Sequence, residues 1–160
     1  MPNSSVAKSS DHAGVYFPPP LFYLAVLALG LVVQRLYPVS LLPRTVNLVL
    51  AMVCIIGSVA LIVWSVRTFR LAKTSLIPVK PTTALVTDGP FRFTRNPMYL
   101  GLALLYLGVG LWLNALWVVV MLVPLLLVIQ SYVIVREERY MERKFGQEYL
   151  QYKARVRRWL

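Results

Sequence analysis

Long apolar runs separated by short polar connections divide this chain. The first two, at about 18–37 and 45–66, are each long enough to cross a hydrocarbon core of ~30 Å as a helix rising 1.5 Å per residue. Two more, 99–113 and 115–135, meet at Asn114, and the first of them is short for a full crossing. The pattern predicts an all-α integral membrane fold with about four transmembrane helices, the last two forming a short hairpin.

The chain becomes charged and amphipathic after residue 135. Apolar side chains recur there at helical spacing: Phe145, Tyr149, Tyr152, Val156 and Trp159. Such a stripe predicts an amphipathic C-terminal helix, which either lies on the membrane surface or folds back over the connection before the third span. Gly146 is expected to interrupt the helix just before the stripe.

The start of the chain is mostly polar. Residues 1–17 predict a flexible N-terminal tail, which leaves residues 18–160 as a single domain. The first apolar run follows three consecutive prolines and lacks a small-residue cleavage site, so we expect no cleavable signal peptide.

Composition supports a membrane protein and charge sets its orientation. Hydrophobic residues make up 58% of the chain and the mean hydropathy is +0.65, which excludes an ordinary water-soluble domain. Of the 17 Lys and Arg residues, all but Arg35 and Arg44 fall in the tail, the 67–98 connection or the C-terminus. The positive-inside rule therefore predicts that both termini are cytoplasmic. Anionic membrane lipid explains the net charge of +11 better than nucleic acid does.

Histidine and cysteine offer little material for catalysis. His12 is the only histidine and Cys54 the only cysteine, so no intrachain disulfide can form. Cys54 lies in the middle of an apolar run, where packing is its expected role. We expect neither a histidine-based metal site nor a Ser-His-Asp triad.

The richest polar stretch, residues 89–101, runs directly into the third span. It contains Arg95, Asn96 and Tyr99, and the hairpin must bring Arg136–Glu138 beside them, because its two arms are antiparallel. Ionisable residues at such a boundary are functional candidates. The structural alternative is a set of interfacial salt bridges that anchors the hairpin.

This mixture of groups favours an amphoteric, purine-bearing cofactor such as S-adenosyl-L-methionine. Carboxylates accept hydrogen bonds from ribose hydroxyls, arginine binds a carboxylate, and aromatic rings stack on a purine or face a cation. The sequence has no P-loop and no Gly-rich Rossmann turn, which disfavours a nucleoside triphosphate or a dinucleotide domain.

Three motifs in order carry a family resemblance. They are Gly89-Pro-Phe-Arg followed by Arg95-Asn-Pro-Met-Tyr-Leu-Gly101, the pair Glu137-Glu138, and Phe145-Gly-Gln-Glu-Tyr-Leu-Gln-Tyr-Lys-Ala-Arg-Val156. Together they resemble the isoprenylcysteine carboxyl methyltransferase and phospholipid methyltransferase family of integral membrane enzymes. The resemblance covers roughly residues 80–158. It implies an S-adenosyl-L-methionine pocket and a lipid or isoprenoid acceptor that enters sideways from the bilayer.

The resemblance also implies residue roles. The cofactor-binding set would be Asn96, Pro97, Tyr99, Gly101, Glu137, Glu138, Tyr149 and Tyr152. Gly101 would allow close approach of the cofactor, and the two tyrosines would close over it. Arg95, Arg136 and Glu137 are expected to serve catalysis. The arginines would hold the cofactor carboxylate or the acceptor's anionic group, and an amine acceptor would need Glu137 or Glu138 as a base.

The acceptor depends on a departure at Asn96. Isoprenylcysteine enzymes usually have His there, whereas the Asn-Pro-Met-Tyr wording is similar to phosphatidylethanolamine N-methyltransferases. Carboxylate O-methylation of an isoprenoid or lipid-like acceptor is the main hypothesis, and phospholipid N-methylation is the alternative. Two further hypotheses are an NADPH-dependent sterol-type reductase, which has a similar C-terminal part but normally more spans, and a non-enzymatic membrane scaffold.

Overall fold

The computed structural model describes residues 17–72 and 84–160, and every regular element within them is helical. The elements are α1 (Pro19–Leu36), α2 (Arg44–Leu71), a 3₁₀ turn (Gly89–Arg92), α3 (Pro97–Trp112), α4 (Leu116–Val128), a π-helical segment (Ile129–Ile134), α5 (Val135–Phe145) and α6 (Gln147–Arg155). This confirms the all-helical prediction for this part of the chain. The predicted tail up to residue 16 and residues 73–83 of the polar connection lie outside it.

Three helices are long and apolar enough to cross a membrane. They are α1, α2 and the continuous helix that α4, the π-helical segment and α5 form from Leu116 to Phe145. With 16 residues, α3 is ~24 Å long, so it is short for a crossing, as predicted. The fourth crossing itself remains a prediction.

Small residues let the helices pack closely. Ser58 Oγ of α2 donates a buried hydrogen bond of 2.7 Å to the carbonyl of Gly101 in α3. A Cβ atom at Gly108 would lie 2.7 Å from Ile55 Cγ1 of α2. On the other side of the bundle, a Cβ at Gly30 of α1 would lie 3.0 Å from the Val118 Cα of α4. Small residues on α1, α2 and α3 thus allow these helices to pack closely.

The predicted break at Asn114 is also confirmed. Asn114 has a φ of 51°, a left-handed conformation that asparagine tolerates, and it reverses the chain between α3 and α4. Its Oδ1 accepts hydrogen bonds from the Leu41 backbone, at 2.8 Å, and from the buried Asn47 side chain. Polar contacts thus fix the end of the bundle that lies away from the charged C-terminus.

Two helix ends differ from the hydropathy pattern. The apolar run ends at residue 66, but α2 continues to Leu71, because leaving an apolar layer does not end helical hydrogen bonding. Its extra turn is packed, since Phe69 meets Phe91 edge to face with ring centroids 5.1 Å apart. α3 begins two residues early, at Pro97, because proline suits the first turn of a helix.

The prediction of an amphipathic C-terminal helix is correct only in part. The predicted interruption at Gly146 is confirmed: α5 ends at Phe145, and Gly146 has a φ of 52°. The prediction that one helical face runs through Trp159 is wrong, because α6 ends at Arg155 and Val156 is extended. Residues 156–160 follow α6 without regular secondary structure and belong to no β-sheet; they are called the tail strand below. Their side chains therefore point in directions that a helix would not allow.

Replacing Gly108 with valine tests the packing of α3 on α2. We expect the free energy of unfolding in detergent to fall by about 1–3 kcal/mol, because the added side chain must displace Ile55. The matched control is Gly57→Val on α2, where an added Cβ meets nothing within 4 Å. Equal losses in the two variants would contradict close packing at Gly108.

Candidate active site at the start of the third span

A tight turn positions the polar stretch before α3. Gly89 has a φ of 59°, and a Cβ there would lie 2.6 Å from Thr68 Oγ1 at the end of α2, so the position suits glycine. The next two residues, Pro90 and Phe91, are buried. The turn therefore packs on α2 and fixes the position of the residues that lead into α3.

The tail strand lies along this stretch. The backbone amide of Arg95 donates to the Arg157 carbonyl at 2.9 Å. The Arg158 carbonyl accepts from Thr94 Oγ1 at 3.1 Å and from Asn96 Nδ2 at 2.9 Å. Asn96 was expected to bind the cofactor, and in the structure its side-chain amide binds the tail strand.

Glu138 is the electrostatic centre of the site. It is only 6% exposed, and Arg158 grips it through Nε at 3.0 Å and Nη2 at 2.7 Å. Arg95 Nη2 lies 3.2 Å from the same carboxylate. The hydrogen bond to Glu138 raises the pKa of Arg158. Three distant parts of the chain thus meet at one buried carboxylate, in line with the predicted convergence of the hairpin ends.

Glu137 has a different environment. Its Oε1 accepts a hydrogen bond of 2.7 Å from the Tyr99 hydroxyl, and the Tyr99 carbonyl accepts one of 3.1 Å from Tyr23. Glu137 lies two residues beyond the charge-free run. Burial raises the pKa of its carboxyl to about 7, although the Tyr99 hydrogen bond opposes that shift. Neighbouring glutamates therefore differ: an arginine pair holds Glu138, and a tyrosine holds Glu137.

Arg95 is buried with unused donors. Its side chain is 8% exposed, and among the residues that the structure describes no acceptor satisfies its Nε or Nη1. Tyr149 lies beside it: burial raises the pKa of that hydroxyl to about 12, and Arg95 partly opposes the rise. Buried polar groups are almost always hydrogen-bonded, so these two donors fit an anionic group of a ligand.

Two tyrosines of α6 that were predicted to bind the cofactor are buried against the turn before α3. Tyr149 and Tyr152 are buried, with ring centroids 6.1 Å apart, and both pack in a cluster with Phe91. The Tyr152 hydroxyl donates to the Phe91 carbonyl at 2.7 Å. α6 therefore folds back over the connection before the third span, which is the second of the two predicted arrangements. Tyr152 also anchors it there.

Three predicted site residues lie apart from this cluster. Arg136 is exposed, and its guanidinium carbon lies 4.1 Å from the centroid of the Tyr132 ring, which in turn contacts Phe22 of α1. Gly101 faces α2, where a Cβ would lie 2.6 Å from Ile62 Cγ1, so helix packing accounts for it. Pro97 is fully buried at the first turn of α3.

Sequence reasoning missed Arg158 and Thr94. A continuous C-terminal helix would put Arg158 on its polar face, whereas the end of α6 at Arg155 turns it toward Glu138. Thr94 carried no signal, since it binds a backbone carbonyl whose position depends on the fold.

Comparison with known proteins agrees with this geometry. Residues 46–148 match the family model described as phospholipid methyltransferase. A relative from Haemophilus influenzae (strain ATCC 51907 / DSM 11121 / KW20 / Rd), described only as an uncharacterized protein, is 52% identical over 65 residues. The match covers 39% of this chain and the whole of the relative. No solved structure matches.

The chain belongs to the phospholipid methyltransferase family, because the family model covers more than half of it. This confirms the resemblance seen in the motifs. Together with the three spanning-length helices, the family indicates a membrane methyltransferase that acts on a lipid-like substrate.

Replacing Glu138 with glutamine tests the charge centre. We expect the free energy of unfolding to fall by about 3 kcal/mol, because the change leaves the buried Arg95 without its counter-charge. The control is Glu142→Gln, which breaks the more exposed pair with Lys153 and should cost about 1 kcal/mol or less. Denaturation of both variants in detergent measures the difference, and a loss at Glu138 no larger than at Glu142 would argue against a buried charge centre.

Proposed function

We propose that this protein is an S-adenosyl-L-methionine-dependent methyltransferase whose acceptor is an isoprenoid or lipid-like carboxylate. The observation that carries the proposal is the buried guanidinium of Arg95, which lies beside the Glu138 carboxylate and has two donors that no described residue satisfies. Family membership supports the reaction class. The finer assignments of cofactor and acceptor rest on the chemistry of these residues.

The side chains present fit the proposed cofactor. A guanidinium with free donors binds a carboxylate, here the one on the methionine part, and buried tyrosines offer ring faces to a purine or a sulfonium. Arg95 would hold the carboxylate, and Tyr149 and Tyr152 would cover the bound molecule. When bound, S-adenosyl-L-methionine supplies an electrophilic methyl group.

Glu138 is a positioning residue in this proposal. It holds Arg95 on one side and Arg158 on the other, so it fixes the unsatisfied edge of Arg95 and the tail strand together. Glu137 would bind ribose hydroxyls or the cofactor's amino group, oriented by Tyr99. Catalysis would then come mainly from orientation and exclusion of water.

A carboxylate acceptor needs no general base, because it is already ionised at pH 7. Arg136 is the proposed partner for its negative charge, since it lies at the start of the charged segment on the α1 side of the helix. We further propose four crossings with both termini in the cytoplasm and a single domain from residue 18 to residue 160. The positive-inside distribution of Lys and Arg supports this topology.

Replacing Arg95 with lysine tests the cofactor assignment. We expect the Kd for S-adenosylhomocysteine, measured by calorimetry in detergent, to rise about tenfold or more, because lysine keeps the charge beside Glu138 but loses the planar fork. Arg139→Lys, at an exposed position on α5, should leave the Kd unchanged. If the native protein binds neither S-adenosylmethionine nor S-adenosylhomocysteine, the proposed function is wrong.

N-methylation of a phospholipid amine is the second candidate, and Glu137 is the observation that favours it. An amine must lose a proton during transfer. Among the described residues, two arginines bind Glu138, whereas Glu137 accepts a hydrogen bond from the Tyr99 hydroxyl alone. The pKa of Glu137, raised to about 7 by burial, suits a general base near neutral pH.

The pH dependence of methyl transfer separates the two candidates. Because only ionised Glu137 can accept a proton, an amine acceptor predicts a kcat/KM that falls as the pH drops through about 7. Glu137→Gln should remove this inflection and Glu142→Gln should keep it. A carboxylate acceptor predicts no inflection in kcat/KM near pH 7. Rates with phosphatidylethanolamine and with an isoprenoid carboxylic acid, measured from pH 6 to 9, would distinguish the two.

A further inference from the structure

Two arginines share the carboxylate of Glu138, and they share it unequally. Arg158 donates from Nε to Oε1 at 3.0 Å and from Nη2 to Oε2 at 2.7 Å, so its planar fork uses both oxygens. Arg95 approaches less closely, with Nη2 3.2 Å from Oε1, whereas ~2.7–2.9 Å is usual between an arginine and a carboxylate. Arg158 is therefore the closer partner of Glu138, although Arg95 is the more deeply buried arginine.

This unequal sharing explains why Arg95 keeps donors unused. An arginine beside a carboxylate favours two parallel hydrogen bonds, and any such pair from Arg95 would use Nη2 together with either Nε or Nη1. No described residue accepts a hydrogen bond from Nε or Nη1. A carboxylate has one edge on which both oxygens face the same fork, and Arg158 occupies that edge of Glu138. Arg95 is thereby kept from pairing with Glu138 in the same way.

The tail strand holds Arg158 in this position. On one side of it, the Arg157 carbonyl accepts from the backbone amide of Arg95 at 2.9 Å. On the other side, Trp159 Nε1 donates to Gln130 Oε1 of the long helix at 2.8 Å. The carbonyl of Arg158 itself accepts two hydrogen bonds from the connection before α3. The backbone that carries the Arg158 side chain is thus fixed to two elements, and the same strand binds the backbone of Arg95.

We propose that Arg158 is a positioning residue for ligand binding: it occupies the two-oxygen edge of Glu138 and so keeps the guanidinium of Arg95 open toward the site. Without Arg158, Arg95 would turn onto Glu138 and lose a donor that the anionic group of the ligand needs. Arg158 does not touch the ligand in this proposal. Its importance for methyl transfer rests on the function proposed above, but the hydrogen bonding of Arg95 can be measured with no ligand present.

Replacing Arg158 with leucine tests the role in binding. Arg95 still neutralises Glu138 in this variant, so the buried carboxylate keeps a counter-charge. We expect the Kd for S-adenosylhomocysteine, measured by calorimetry in detergent, to rise about tenfold. The matched control is Arg157→Leu, one residue earlier in the tail strand, where the side chain is exposed and the backbone carbonyl is retained; its Kd should stay within about twofold of the native value. An unchanged Kd in Arg158→Leu would overturn the proposal.

The effect must depend on Arg95 if Arg158 acts through it. In an Arg95→Lys background no fork remains that could turn onto Glu138, so adding Arg158→Leu should change the Kd by less than about twofold. A further rise of about tenfold in that background would overturn the proposal, because Arg158 would then act on the ligand independently of Arg95.

Nitrogen-15 NMR of the arginine side chains provides a measurement that needs no ligand. The Arg95 signals are assigned by their loss in Arg95→Lys. We expect at least one N–H proton of the Arg95 guanidinium to move downfield in Arg158→Leu, because a new hydrogen bond to a carboxylate deshields it, and none to move in Arg157→Leu. Arg95 signals that all stay in place in Arg158→Leu would overturn the proposal.

The two proposals can fail separately. If the native protein binds neither S-adenosylmethionine nor S-adenosylhomocysteine, the function proposed above is wrong, while the NMR measurement still decides whether Arg158 keeps Arg95 open. If the native protein and Arg158→Leu bind S-adenosylhomocysteine equally well, the proposed function stands and the role given to Arg158 is wrong.

Discussion

The buried carboxylate of Glu138 ties the structure together. Glu138 is only 6% exposed, and a buried negative charge needs a positive charge beside it. Arg95 before α3 and Arg158 in the tail strand supply two. Because the two arginines are 63 positions apart in the sequence numbering, one carboxylate fixes the relation between the start of the third span and the C-terminus. The hydrogen bonds from residues 94–96 to backbone carbonyls of the tail strand join the same two segments.

Helix packing brings that carboxylate to its place. The left-handed turn at Asn114 sends the chain back along α3, so the charged end of the long helix returns to the level of Pro97. Close contact of α3 with α2 through Gly101 and Gly108 leaves the opposite face of α3 for Tyr99 and its partners. The position of the polar site thus depends on how the short helix α3 is packed on two of its sides.

Much of this arrangement could be predicted from the sequence. The apolar runs gave the helices, and the antiparallel hairpin was enough to bring Glu137 and Glu138 next to Arg95, since connectivity alone requires it. The contact of Gly101 with α2 could not be predicted, because the order of the helices around α3 was not known from the sequence. The hydropathy of residues 67–71 concealed the last turn of α2, because polarity marks the edge of an apolar layer and not the end of a helix.

The tail strand could not be predicted, for a reason of geometry. A helical projection continued through Trp159 places Arg158 on the solvent side, and only the end of α6 at Arg155 reverses that. Likewise, Asn96 binds a backbone carbonyl, and no residue type in the tail announces such a contact. The hydrogen bond of 2.8 Å that Trp159 Nε1 donates to Gln130 Oε1 could not be predicted either, because it also depends on the end of α6 at Arg155.

The π-helical segment Ile129–Ile134 has a consequence for how such a site can vary. A π turn holds one residue more than an α turn, so it rotates everything after it by roughly 100° about the helix axis. The face that the apolar half of the helix presents to its neighbours therefore does not determine the direction in which Glu137 and Glu138 point. One half can keep its fit to α1 and α3 while the other aims its acids, so that membrane packing and the direction of the acidic pair need not compromise with each other.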